Sequence, residues 1–206
     1  MSAPPLSNQR AIIDRRKLAK AIGEIEGGGA SSRDKVLALL REALGAGREE
    51  LSRRLAAKPS AGHAHCGGQS FLIDQLIRLI HDYAAANLAP LPEGERERAI
   101  TIVAAGGYGR EEMAPHSDVD IAFFVAQADD PRTVKLIEAV LYLLWDLGLT
   151  VGHSVRTLDE VVSMSKADGT ILTSLLECRY LWGNEDLYEA AKQRFYAEVV
   201  DGTERQ

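Results

Sequence analysis

An apolar run from Ile100 to Ala105 meets Gly106-Gly107, and ten residues further on Asp118-Val119-Asp120 opens a second apolar run that ends at Val125. Apolar runs this short, bounded by glycine and polar residues, are of strand length. Residues i and i+2 of a strand share a face. Asp118 and Asp120 therefore point the same way, while Val119 and Ile121 point into packing.

Two carboxylates side by side repel one another unless a cation lies between them, and hard oxygen ligands suit Mg²⁺. Gly106 and Gly107 allow backbone N–H groups to approach a phosphate closely, and a helix starting nearby adds its positive end. Taken singly, each feature has an ordinary reading: solvated aspartates at a strand edge, and a Gly-Gly turn. Local rules do not require both in this order and spacing. The conjunction points to nucleotidyl transfer.

Around this centre the chain reads mainly as helix. Residues 1–8 read as disordered. A helical pattern runs from Asn8 to about Ile25, stopped by Gly27-Gly28-Gly29. A second, with Ser31 and Ser32 as N-cap candidates, passes through Val36, Leu40 and Leu44 to Leu51 and Leu55. Lys58-Pro59-Ser60-Ala61-Gly62 then marks a break, giving a helical N-terminal extension (1–60) and a second domain (61–206). In the latter a helix is expected from about Ser70 to Ala86, then a surface connection through Pro90, Pro92 and Gly94. Strands follow at about 99–105 and 119–126, a largely buried helix at 132–147, and a third strand at 149–156. Thr157-Leu-Asp-Glu160 has the pattern of a capping box, and two more helices are expected at about 169–181 and 185–199. The order implies an α+β fold: a small mixed β-sheet core with flanking helices on one side and helical appendages at both ends.

Bulk properties narrow the classes of function. Net charge is −6, against the basic surface expected of a nucleic-acid binder. No stretch nears the ~20 apolar residues of a membrane span, and the first residues lack the apolar core of a secretory signal. Cys66 and Cys178 are the only cysteines and form no CxxC pair, which fits a reducing compartment, the cytoplasm.

Gly106-Gly107-Tyr-Gly-Arg110 followed by Ala114-Pro115-His116-Ser117-Asp118-Val119-Asp120 resembles the signature of the polymerase-beta-type nucleotidyltransferase superfamily. Within it, the chain is most similar to the N-terminal domain of the bacterial protein-PII uridylyltransferases. The likeness continues through Tyr142-Leu-Leu-Trp-Asp-Leu-Gly148, Val151-Gly-His-Ser-Val-Arg-Thr157 and Leu175-Leu-Glu-Cys-Arg-Tyr-Leu-Trp-Gly183, and covers about residues 70–195. The resemblance implies a nucleotidyltransferase core that moves UMP from UTP to a tyrosine of the PII nitrogen-signalling protein and releases pyrophosphate. It also implies that uridylyl removal and glutamine sensing belong to downstream phosphohydrolase and ACT domains too large for 206 residues, so no uridylyl-removing activity is expected from this chain.

Roles at the site follow. Asp118 and Asp120 are the expected Mg²⁺ ligands and catalytic carboxylates, and Gly106 and Gly107 the expected triphosphate contacts. Arg110 has two readings, a phosphate contact or a surface partner of Glu111 or Glu112. Ser117 either donates to phosphate or caps a turn. Many superfamily members carry a third carboxylate on a later strand, but Thr150 to Arg156 contains no acid, as in the PII uridylyltransferases. His153 and Arg156 lie three apart, hence on opposite faces of a regular strand; either is a nucleotide-contact candidate, and His153 reads equally well as a structural histidine. Glu177 and Arg179 are expected on a late helix, ion-paired or at the surface. His63-Ala-His65-Cys66 reads as loop rather than metal site. Two other functions stay open: transfer from ATP to a different acceptor, and a catalytically silent binding module.

Overall fold

The computed structural model describes residues 6–25, 30–90 and 100–201. The Gly27–Gly29 stop, Pro92, Gly94 and the strand start at 99 lie outside the described residues, as do the first five residues of the stretch read as disordered.

The helix expected over 8–25 is two helices, α1 (Gln9–Ile12) and α2 (Arg15–Gly23). Ile13 is extended between them, and the Asp14 side chain caps α2 by accepting from the Lys17 amide at 3.1 Å. The break allows Ile12 and Ile13, adjacent in sequence, both to be buried. α3 (Ala30–Ala57) follows, and α4 (Gly62–Tyr83) begins well before the expected Ser70. His63-Ala-His65-Cys66 is therefore helical, not loop. His65 is buried with Nδ1 3.2 Å from the Leu51 carbonyl oxygen, so docking against α3 outweighs the poor helix propensity of the neighbouring glycines.

Four strands form one mixed sheet: β1 (Ile100–Ala104), β2 (Val119–Val125), β3 (Val151–Thr157) and β4 (Arg179–Gly183), in the order β3-β2-β1-β4. β1 is antiparallel to both neighbours, and β2 and β3 are parallel. A parallel pair needs a crossover, supplied by α6 (Pro131–Asp146). It starts with Pro131 at a first-turn position and Asp130 accepting from the Thr133 amide at 2.9 Å. Between β1 and β2 lies a single turn of helix, α5 (Gly106–Gly109); α7 (Leu158–Ala167), α8 (Gly169–Leu176) and α9 (Glu185–Phe195) complete the α-helices among the described residues. The Thr157/Glu160 capping box at the start of α7 is present with both of its bonds.

Two further expectations need correction. The helix expected over 169–181 ends at Leu176, and Arg179–Gly183 is β4. β1 is buried along its whole length, so its edge away from β2 would hold unsatisfied backbone groups without a fourth strand. The helices also cover both faces of the sheet rather than one. Ile100, Ile102, Ile121, Phe123 and Val125 join residues of α4 and α6 in a core that reaches from Ile12 to Leu181. Val103, Ala122 and Phe124 join Val161, Val162, Tyr188 and Phe195 of α7 and α9 in a second core. Among the described residues, no helix is long and apolar enough to cross a membrane.

Candidate active site

The glycine turn is tied to the aspartate strand by backbone. The Ala105 amide donates to the Asp120 carbonyl oxygen at 2.9 Å, and Gly106 turns the chain with φ +54°, a conformation that favours glycine. A Cβ at Gly106 would lie 3.7 Å from Oδ2 of Asp120. On the other side, Asp120 pairs in register with Gly152 of β3, where a Cβ would collide with Oδ1. The carboxylate thus occupies a slot with a glycine on each flank. Gly152 was absent from the site residues expected from sequence. Its signal was a glycine inside a strand pattern, which marks a close approach.

Asp118 lies exposed immediately before β2. Asp120 is itself exposed, but partial desolvation in its slot, and then the charge of Asp118, raise its carboxyl above the ordinary value. A cation at the pair would relieve both effects. Among the described residues, no group of three or more His, Cys, Asp or Glu side chains is placed to hold a metal ion. The residue paired with Asp120 on β3 is Gly152, and the next on that face is Ser154, so no side chain there supplies a third carboxylate. Two carboxylates nevertheless fit Mg²⁺, which keeps several waters and binds through one or two carboxylates plus substrate phosphates.

Asp120 and Gly106 open onto a cleft of about 350 Å³, within the range of small-molecule sites. Gly152, Arg156, Thr170 and Ser174 also line it. Arg156 pairs with Phe124 and so shares the Asp120 face. His153 borders the cleft, but it pairs with Ile121 and its ring meets Trp145 edge-on at 5.9 Å between centroids. Cys178 forms part of the wall, its thiol pushed up to about 11 by burial, so it is an inert surface rather than a nucleophile.

Gly107, Arg110, Ser117 and Asp118 do not line this cleft. Gly106 and Gly107 are the first residues of α5, whose opening amides have no acceptor within the helix. Arg110 donates from Nε to Glu112 at 2.8 Å and from Nη1 to Glu177. Ser117 Oγ donates to the Ala114 carbonyl oxygen at 2.9 Å, closing a turn. Glu177 follows α8, and Arg179 opens β4 and pairs with Asp74 of α4, so neither lies on the expected late helix.

No family model matches the chain. Over 204 residues, 98% of its length, it is 54% identical to a bifunctional uridylyltransferase/uridylyl-removing enzyme of Novosphingobium aromaticivorans. This chain is homologous to a segment of the bifunctional uridylyltransferase/uridylyl-removing enzymes. Enzymes of the same name from Erythrobacter litoralis and Azospirillum brasilense are 50% and 43% identical over 207 and 202 residues, 100% and 96% of the chain. The chain spans about a fifth of these relatives, 22%, 22% and 21% of their lengths.

The geometry singles out one element, the Asp120 carboxylate between Gly106 and Gly152 at a cleft open to solvent, with Asp118 exposed beside it. Such a site can hold a polyphosphate chain against the turn while the rest of the ligand extends between β3 and α8.

Proposed function

We propose that this chain carries a Mg²⁺-dependent nucleotidyltransferase site, acting in the cytoplasm, that transfers UMP from UTP to a tyrosine of the PII signalling protein and releases pyrophosphate. The observation that carries the reading is Asp120, held between Gly106 and Gly152 with Asp118 beside it. The relatives' name supports the uridylyl group as the one transferred.

Asp118 and Asp120 would hold the metal. When bound, Mg²⁺ supplies charge compensation for the triphosphate and for the transition state. The chain's own residues bind and orient. The first amides of α5 face the phosphates, and glycine at 106 and 107 leaves the backbone open to them. Arg156, on the Asp120 face of β3, extends positive charge along the cleft. The nucleoside lies towards Thr170 and Ser174 of α8. The tyrosine hydroxyl loses its proton to solvent as its oxygen bonds to the α-phosphorus, the bond from the α-phosphorus to the oxygen bridging it to the β-phosphorus breaks, and pyrophosphate leaves through the open side of the cleft.

The test is a thermal-shift titration with UTP, CTP, ATP and GTP, each with and without Mg²⁺, on the unmodified chain and on Asp118→Asn/Asp120→Asn. A ligand at about 100 times its dissociation constant stabilises a fold by ~2.7 kcal/mol, which is readily seen. A Mg²⁺-dependent shift that favours UTP and disappears in the double variant is expected, followed by transfer of labelled UMP to PII. A preference for ATP would redirect the search to another acceptor, and no response to any nucleotide would overturn the reading.

A further inference from the structure

Behind the glycine turn lies a buried polar network that the reaction does not itself use. Tyr108, between Gly107 and Gly109, is 2% exposed, and its hydroxyl donates to Oδ1 of Asp74 on α4 at 2.7 Å. Asp74 is 6% exposed and receives two more bonds from Arg179 of β4, from Nη1 at 2.8 Å and from Nη2 at 3.1 Å. The same Nη2 reaches the Tyr108 carbonyl oxygen at 3.5 Å, and the guanidinium carbon lies 5.6 Å from the Tyr108 ring centroid. Among the described residues Nε of Arg179 has no hydrogen-bond partner, and it lies 3.7 Å from a carboxylate oxygen of Glu111.

α5 cannot hold its own shape. A helix of one turn is far below the ~12–15 residues at which helices become even marginally stable in water. The turn is moreover bracketed by two left-handed residues, Gly106 at φ +54° and Glu111 at φ +61°. A non-glycine residue there persists only when its surroundings over-determine it. The network supplies that constraint from two directions. Asp74 holds the side chain of Tyr108 from α4, while Arg179 grips Asp74, the Tyr108 backbone and Glu111 from β4.

We propose that Asp74 and Arg179, acting through Tyr108, are positioning residues that set the backbone of the Gly106–Gly109 turn for the triphosphate. The ligand half of this inference rests on the nucleotide reading above; the anchoring half does not. A misplacement of about 1 Å at a reacting centre costs on the order of a hundredfold, so a loosened turn would weaken the nucleotide site while leaving the fold intact.

The test uses the whole chain and two variants. Tyr108→Phe removes one hydroxyl and leaves Asp74 bonded twice to Arg179, so the fold persists. Ser70→Ala removes another buried hydroxyl of α4, which donates to the Cys66 carbonyl oxygen at 3.2 Å, and serves as the control for stability alone. Amide hydrogen exchange is read over residues 106–111, together with the affinity for Mg²⁺·UTP. Tyr108→Phe is expected to speed exchange in the turn about tenfold relative to Ser70→Ala and to weaken Mg²⁺·UTP by roughly ten- to a hundredfold, with a similar change in Tm. Equal exchange in the two variants overturns the proposal. A loosened turn in a protein that responds to no nucleotide upholds the anchoring and overturns instead the nucleotide reading.

Discussion

Asp120 of β2 and Gly152 of β3 are register partners, and the Asp120 carboxylate fills the space that a Cβ at 152 would need. Glycine inside a strand is costly, by roughly 0.5–1 kcal/mol relative to alanine, and β3 is one of the two edge strands of the sheet. Its presence there is explained by the carboxylate rather than by the strand.

Gly152→Ala is therefore expected to leave the sheet standing and spoil the site. The backbone at 152 is not left-handed, so alanine can adopt it, and the collision is with the end of a rotatable side chain. The carboxylate yields and turns away from its slot. Circular dichroism should be unchanged and Tm should move by no more than a few degrees, while the Mg²⁺-dependent stabilisation by UTP is lost. Ser154→Ala, on the same face one pair along, should keep it. An undiminished nucleotide response in Gly152→Ala would show that the slot has no part in binding.

Asp120→Asn tests the electrostatics of the pair. A carboxyl whose pKa is higher in the folded than in the unfolded state binds its proton more tightly when folded. Its ionisation then works against folding at pH values above the raised pKa, and the penalty is relieved as pH falls through that pKa. Without metal, Asp120→Asn should raise Tm at pH 7, with the gain shrinking on acidification through the carboxylate range. Mg²⁺ should raise the Tm of the unmodified protein and not that of the variant. A lower Tm for the variant at pH 7 would contradict a repulsive pair.

The elements that sequence made visible are those with local signatures. Period-two aspartates between apolar neighbours marked β2, Thr157 and Glu160 marked the start of α7, and the density of apolar residues over 132–147 marked α6, although Val134 and Trp145, expected to be buried with the rest, are exposed. What stayed hidden depends on pairing across the fold. Residues 169–181 read as one helix, and only the need of buried β1 for a second partner makes a strand of the segment that begins at Arg179. The place of Gly152 emerges from the register of β2 on β3. Alternation separates His153 from Arg156 but does not say which of them shares a face with Asp120; the sheet's own orientation decides for Arg156.

Leu40→Ala asks whether residues 1–60 unfold as a separate unit. Leu40 is fully buried on α3 in the core that also contains Ile102 and Phe123 of the sheet. Truncation of such a residue costs about 2–5 kcal/mol. Because the core is contiguous, the whole cost should appear in one cooperative transition. The two tryptophans report on different places: the Trp182 ring has the guanidinium carbons of Arg15 of α2 and Arg78 of α4 at 5.3 and 5.2 Å from its centroid, and Trp145 lies against His153 of β3. Coincident urea transitions by tryptophan fluorescence and by far-UV circular dichroism, both shifted in Leu40→Ala, are expected; separate transitions would establish an independent N-terminal unit.

Arg110 distinguishes an ion pair from a ligand contact. Its guanidinium reaches both Glu112 and Glu177, and Nη2 lies 3.8 Å from where a Cβ would stand on Gly107, directly beside the turn. Exposed ion pairs contribute little to stability, so Arg110→Ala should leave Tm without nucleotide nearly unchanged. If the guanidinium exchanges a carboxylate for a phosphate when nucleotide binds, the same variant should weaken Mg²⁺·UTP several-fold and lessen the loss of affinity with added salt. Arg110→Lys should recover only part of the affinity, because an ammonium lacks the planar fork that grips two oxygens at once. Titrations of all three proteins at low and high ionic strength make the comparison. Equal affinities and equal salt slopes would reduce Arg110 to a bridge between Glu112 and Glu177, leaving the α5 amides and the carboxylate pair as the groups that meet the phosphates.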